Sequence, residues 1–263
     1  MSEAKALFDP PGFVREIEEE ARAGGWAIHH LSPADGVARP WFQRAARTGN
    51  PATAPKIYLS SGIHGDEISG PLALLRLLRQ PDYFSGFDVT MFPILNPHGL
   101  ARDLRLNADG IDLNRDYRNT KSAEIRSHIE VLKTLGRFAA AMMLHEDYEG
   151  IGAYLYELND TLPKGLGNKI IAAMGRHVPL DMRPEIEEVR ATGGVLQRSD
   201  LVLKHGPLED RAEWAEAAYL NVYHTAVSYT TETPKPFPLE DRIQAQIAAV
   251  DTLLEALKEK LTS

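Results

Sequence analysis

Residues 56–67, Lys56-Ile-Tyr-Leu-Ser-Ser-Gly-Ile-His-Gly-Asp-Glu67, decide how the chain is read. Ile57 to Ser60 is a short run of strand-forming residues that stops at Ser61-Gly62, and an apolar helical pattern, Leu72, Leu75 and Leu78, begins a few residues later. Strand, loop and helix start, in that order, put the loop at the carboxyl end of a strand, where open α/β sheets bind their ligands. His64 and Glu67 stand in that loop. An imidazole and a carboxylate from one turn are two ligands for a divalent metal of the zinc type. Taken alone the pair is better read as a solvated polar loop, because nine His and 21 Glu in 263 residues produce a His-x-x-Glu by chance roughly 0.7 times.

The rest of the chain must therefore decide. With 43% hydrophobic and 25% charged residues, and no Gly/Ser-rich linker, residues 1–263 read as one α/β domain of ordinary soluble type. A formal charge of -8 argues against nucleic acid as a partner, since phosphate binding needs a basic face. Cysteine is absent, which excludes disulfides and thiolate chemistry and leaves His, Asp and Glu to hold any metal. Met1 to Pro11 lacks the basic start and apolar run of a signal peptide, and no stretch approaches the roughly 18 apolar residues of a membrane span. A cytoplasmic protein with no membrane partner is expected.

Helical patterns are expected from Pro10 or Pro11 up to a stop at Gly24-Gly25, and from Pro71 to Leu78, Lys121 to Phe138, Pro163 to Gly175, Glu209 to Leu220 and Leu239 to Leu261. Strands are expected at Trp26 to Leu31, Trp41 to Ala45, Ile57 to Ser60, Phe87 to Leu95, Phe138 to Leu144, Ala153 to Leu158 and His224 to Thr231, while Met182 to Gly206 is too mixed to assign. Asn96-Pro-His-Gly99 reads as a turn. From there to Thr120 runs a polar, Arg-rich loop, long enough to suggest function, with mixed charges that suggest an ordered network. The apolar run 138–144 ends abruptly in His145-Glu-Asp147, and the strand before Glu232-Thr-Pro234 ends in a carboxylate. Strands and helices alternate, and three strand ends carry chemistry: His64 with Glu67, His145, and Glu232. Parallel neighbours would bring them together. Two histidines and a glutamate with a fourth position open form the ligand set of a catalytic zinc, and Glu232 would be the base for its water.

With these residues in place the chain resembles the zinc metallocarboxypeptidases of the carboxypeptidase A superfamily. The resemblance rests on Gly62-Ile-His-Gly-Asp-Glu67, Asn96-Pro-His-Gly99, Arg105-Leu-Asn107, Gly110-Ile-Asp-Leu-Asn-Arg115, His145 and Thr230-Thr-Glu-Thr-Pro234, which run in matching order. The compact length and the Arg105-to-Arg115 spelling look closest to bacterial murein-peptide amidases and N-acyl-amino-acid deacylases. The resemblance implies an α/β fold with a mixed, mainly parallel sheet of about eight strands and helices on both faces. It implies one Zn2+ per chain on His64, Glu67 and His145, with Asp112 orienting the first histidine. It further implies Arg105 polarising the scissile carbonyl, Asn114 and Arg115 holding a substrate carboxylate, and Glu232 as general base and acid. The expected activity is zinc-dependent hydrolysis of an amide beside a free carboxylate, at the C-terminus of a peptide, with murein-derived peptides among the options. N-acyl-amino-acid deacylation is the alternative on the same site, and a non-catalytic zinc- or peptide-binding module is the alternative of another class.

The chain departs from the family pattern at His98, where the family has Asp, and at Glu146-Asp147, which follow the distal histidine. Those carboxylates would either adjoin the metal or face solvent. Tyr219 and Tyr223 lie where the family carries a mobile tyrosine, although core-facing helix aromatics explain them better. Glu209 and Asp210 are further candidates for the pocket lining.

Overall fold

The computed structural model describes residues 8–50, 52–159, 162 and 165–262. In chain order its elements are α1 (Pro10–Ala23), β1 (Ala27–Ala34), β2 (Val37–Arg44), β3 (Lys56–Ser61), α2 (Ser69–Leu78), β4 (Asp88–Phe92), α3 (Pro97–Leu100), α4 (Ala123–Thr134), β5 (Ala140–Asp147), β6 (Tyr154–Asn159), α5 (Leu166–Met174), β7 (Glu185–Ile186), β8 (Val189–Arg190), β9 (Val195–Gln197), α6 (Arg198–His205), α7 (Glu216–Tyr223), β10 (Val227–Pro234) and α8 (Leu239–Thr262). Short 3-10 turns lie at Leu113–Arg115 and Leu208–Asp210. The expected helix start at Pro163 and most of the amino-terminal segment read for a signal peptide fall outside the described residues.

Eight strands form one sheet in the order β1-β2-β4-β3-β5-β10-β6-β9, and β7 pairs with β8 apart from it. Four of its pairings are parallel and three antiparallel, which makes the sheet mixed and mostly parallel, as the sequence implied. Side chains alternate across each strand with period two, so Ile57 and Leu59 enter one core while Tyr58 enters the other. Helices α1, α2, α5 and α8 cover the first face with Phe13, Leu74, Ile170 and Leu253, and α4 and α7 cover the second with Ile125, Ile129 and Leu220. Among the described residues no helix is long and apolar enough to cross a membrane.

Two expectations are corrected. The helix expected over 209–220 begins only at Glu216, because the chain bends at Ala212-Glu213 and is then held by Trp214, which bridges Asp116 and whose carbonyl accepts the Tyr117 N–H at 3.2 Å. The Asn96-Pro-His-Gly99 turn is a one-turn helix, capped by the Asn96 side chain, which accepts the Gly99 N–H at 3.0 Å.

Beneath the second face a polar chain runs through the apolar core. Tyr58 donates to Glu216, so its oxygen must accept from His128 Nε2 at 3.1 Å, which leaves His128 Nδ1 to accept from the Tyr117 hydroxyl at 2.8 Å. This order fixes one neutral tautomer of a wholly buried imidazole. Burial, reinforced by the nearby Arg39 cation, holds the His128 pKa well below the usual histidine value. A depressed histidine pKa means the unfolded chain takes up the proton first, so stability from this group is lost as pH falls below about 6.5. The expected NMR signature is a His128 ring resonance that stays fixed from pH 8 to pH 5, and a His128 shift centred near pH 6.5 contradicts it.

Candidate active site

β3, β5 and β10 are adjacent and parallel, so their carboxyl ends open side by side, with Ser61 in register with Leu144 and His145 in register with Glu232. At Gly62, whose φ of 62° is a left-handed conformation open to glycine, the chain turns off β3 into the loop that carries His64 and Glu67. His64 Nδ1 lies 2.5 Å from Glu67 Oε1, and His145 Nδ1 lies 3.0 Å from Glu67 Oε2 without making a hydrogen bond to it. One ligand atom from each residue falls within 4.8 Å of the others, the one such group among the described residues, and all three side chains are buried. Two buried imidazole nitrogens gathered on one buried carboxylate are a ligand set that fits one metal ion.

The rest of the site is ordered by Asp112. Its Oδ1 accepts from His64 Nε2 at 3.2 Å, fixing the tautomer that presents Nδ1, and from the Asn114 N–H at 2.9 Å. Its Oδ2 accepts from Arg105 Nε at 3.0 Å. One carboxylate thus aligns the first histidine, the guanidinium of Arg105 and the turn that bears Asn114 and Arg115. The long polar loop is built rather than loose, because Asn107 Oδ1 accepts the N–H groups of Asp109 and Ile111 and its amide donates to Glu124. Asn114 Oδ1 accepts the Glu216 N–H at 2.9 Å, and Arg115 donates to the Asn114 carbonyl at 2.9 Å.

Charge is distributed accordingly. Burial disfavours ionised His64, yet Glu67 and Asp112 on either side outweigh it and carry its pKa up to about 9. Glu67 is likewise opposed by burial but is pulled down to about 2 by the two histidines. For Asp112, burial is overcome by His64 and then by Arg105 and Arg115, which together hold it well below the usual carboxylate range. Glu232 goes the other way. Burial is the main cause and His145 opposes it, while Glu67 and Asp147 add repulsion that pushes its pKa up to about 8. A bound dication would draw it back down.

A cavity of about 1050 Å³ opens over these groups, and His64, Glu67, Arg105, Asn114, Arg115, His145 and Glu232 all line it. Asp112 stands behind His64. Residues that the sequence reading missed line it too, notably Tyr154, Tyr156, Ser228, Thr230 and Arg183. Counting back in twos from Glu232 along β10 would have flagged Thr230 and Ser228.

The departures from the family pattern resolve without crowding the metal. β5 extends through Asp147, so alternation turns Glu146 away from His145 and into the interior, where it pairs with Arg242 and accepts the Ser69 N–H at 2.6 Å. Its side chain neither joins the ligand centre nor faces solvent, although the residue borders the cavity. Asp147 does line the cavity and accepts from the Tyr154 hydroxyl at 3.2 Å. His98 bonds Asp35 in the β1–β2 turn at 2.8 Å. Tyr219 is core, Tyr223 is surface, and both border a separate cavity that also takes Glu209, whereas Asp210 reaches the main one. The backbones of Gly65 and Gly99 press together so closely that a Cβ on either would overlap the other loop and the Leu104 carbonyl.

A family model described as the succinylglutamate desuccinylase/aspartoacylase catalytic domain matches residues 53–149. Comparison with curated proteins gives no match. Among solved structures, a candidate metallopeptidase from Shewanella denitrificans OS217 is similar at 24% identity and TM-score 0.79, covering 96% of this chain and 97% of that one. A metallo-carboxypeptidase from Burkholderia cenocepacia is similar at 14% identity and TM-score 0.67, covering 96% and 70%. The carboxypeptidase A of Helicoverpa armigera is similar at 15% identity and TM-score 0.63, covering 92% and 70%. Such identities speak for the fold. The segment matched by the family model contains His64, Glu67 and His145, so this chain's metal-binding constellation lies inside the part that is similar to that catalytic domain.

Proposed function

We propose that the protein is a zinc-dependent hydrolase that cleaves an amide adjacent to a free carboxylate, releasing the C-terminal residue of a peptide. The observation that carries this reading is the register of β5 and β10, which sets the carboxylate of Glu232 against ligand His145 at the head of the cavity. His64, Glu67 and His145 would hold the zinc, which supplies Lewis-acid polarisation and lowers the pKa of water to about 7. Glu232 takes the proton of the attacking water and returns it to the leaving amine nitrogen. Arg105, fixed by Asp112 yet 43% exposed at its side chain, meets the negative charge that grows on the carbonyl oxygen. Arg115 and Asn114 grip the substrate carboxylate and so set which amide reaches Glu232.

The family match over 53–149 supports a second reading on the same site, N-acyl-amino-acid deacylation, because an acyl amino acid also presents an amide beside a carboxylate. A panel of a murein tripeptide, simple dipeptides, and succinyl and acetyl amino acids separates the two. Zinc-loaded protein that leaves every member intact would instead support a zinc- or peptide-binding module, although neither Arg105 nor Glu232 is needed to bind metal. Arg115→Ala is expected to raise KM for carboxylate-bearing substrates about 10- to 100-fold with a smaller change in kcat, and an unchanged KM removes Arg115 from the grip. A cytoplasmic location is part of the same proposal, and fractionation of the native host tests it.

A further inference from the structure

The cavity continues past Glu232 along the sheet, and strand register shows what it is made of. On β5, β10 and β6, three rows cross the same face: His145, Glu232 and Tyr154, then Met143, Thr230 and Tyr156, then Ala141, Ser228 and Leu158. Tyr229, one residue out of phase, meets its register partner Glu157 on the opposite face at 3.2 Å, which confirms the alternation. Rows two residues apart lie about 7 Å from each other along a strand. The second and third rows therefore form a trough leading away from the reacting amide for about 13 Å.

Apart from the Tyr156 phenol, which burial keeps neutral, this trough has no ionisable side chain on its floor. Its walls are apolar where α6 and the chain before α7 approach, through Leu201, Val202, Leu208 and Ala215. Of the basic residues that line the cavity, Arg211 donates to the carbonyls of Leu201 and Gly206, Arg183 pairs with Asp181, Arg198 has a partner of its own, His205 is exposed on α6, and Arg115 is assigned above to the substrate carboxylate. Asp210 and Glu213 sit at the exposed mouth. At the far end is one polar atom, the Ser228 hydroxyl, in a residue 1% exposed that lines the cavity and makes no hydrogen bond to the protein. A buried hydroxyl without a partner is costly, and a charged group placed beside it would meet no counter-charge on the floor, where the neighbours of Ser228 are Ala141 and Leu158.

Resting on the hydrolase reading above, we infer that the trough receives the side chain of the carboxylate-bearing residue and selects a neutral chain with a hydrogen-bonding tip, such as a carboxamide or a phenol, which the Ser228 hydroxyl engages. Apolar side chains of equal length fit but leave Ser228 unpartnered. Lysine or aspartate at this position is desolvated without compensation.

The test uses matched substrates, dipeptides and N-acetyl amino acids that differ only in their last residue: glutamine against methionine, tyrosine against phenylalanine, with lysine and aspartate as charged members. The zinc-loaded protein should prefer each hydrogen-bonding member over its apolar match, and Ser228→Ala should lower that preference ratio about five- to tenfold. The same ratios are read without turnover as dissociation constants, by calorimetry on Glu232→Gln and on Glu232→Gln combined with Ser228→Ala. A preference for methionine, phenylalanine or a charged residue overturns the inference, as does a ratio that Ser228→Ala leaves unchanged or an absence of binding to any member. If nothing is hydrolysed but the binding ratios hold and collapse in the Ser228→Ala background, the hydrolase reading fails and the trough assignment stands.

Discussion

Glu232→Gln is expected to lower kcat by about two to four orders of magnitude while the protein still takes up one zinc per chain. The amide keeps the shape of the carboxylate but cannot accept a proton, so the water loses its base and the leaving nitrogen loses its acid in a single change. Zinc content should not follow, because the converging donors are His64, Glu67 and His145, and Glu232 stands across the strand pair from the last of them. Metal analysis of the purified variant beside steady-state kinetics separates the cases. A collapse in zinc content would make Glu232 a ligand, and full turnover would move the base to another carboxylate, with Asp147 the next that lines the cavity.

Arg242→Ala should destabilise the fold by about 3–5 kcal/mol, because it strips the partner from a carboxylate in the interior. The Glu146 side chain is 0% exposed and the Arg242 side chain 8%. The pair does more than neutralise charge. Arg242 Nε also donates to the Phe237 carbonyl at 2.9 Å, while the other Glu146 oxygen accepts the Ser69 N–H at the start of α2, so α8, β5 and the helix that follows the metal loop are tied at one point. In a chain of this length the loss corresponds to a fall in melting temperature on the order of 10 °C. Adding Glu146→Gln to the variant should recover a large part of it, since an amide carries no charge to strand. A melting temperature within about 2 °C of the parent would show that the buried charge finds relief elsewhere.

The strand-loop-helix at 56–67 was legible because strand propensity, a glycine turn and helical spacing sit within a few residues and each points the same way. His145 and Glu232 were legible as the ends of β-rich runs. What brought them together, the adjacency of β3, β5 and β10, is a long-range fact that local patterns cannot carry. The Glu146 assignment failed for a narrower reason. The apolar run stops at Leu144 but the backbone stays extended to Asp147, so the face of each following residue is decided by three residues that look like a loop. Residues 182–206 hid a hairpin whose turn is Glu187-Glu188, both at positive φ, where glycine or asparagine would have signalled it. The break before α7 was equally silent, because Trp214 is placed by a bridge to the polar loop rather than by its neighbours in sequence.

The bare contact of Gly65 with Gly99 carries a consequence for how this protein can drift over generations. The turn that presents His64 and Glu67 and the segment that leads to Arg105 are pressed main chain to main chain, so neither can be enlarged by a single methyl without prising those side chains apart. That side of the molecule is frozen by steric necessity. Adaptation to a new diet of substrates is left to the opposite bank, where hydroxyls and small apolar residues on β10, α6 and the approach to α7 can be exchanged one at a time.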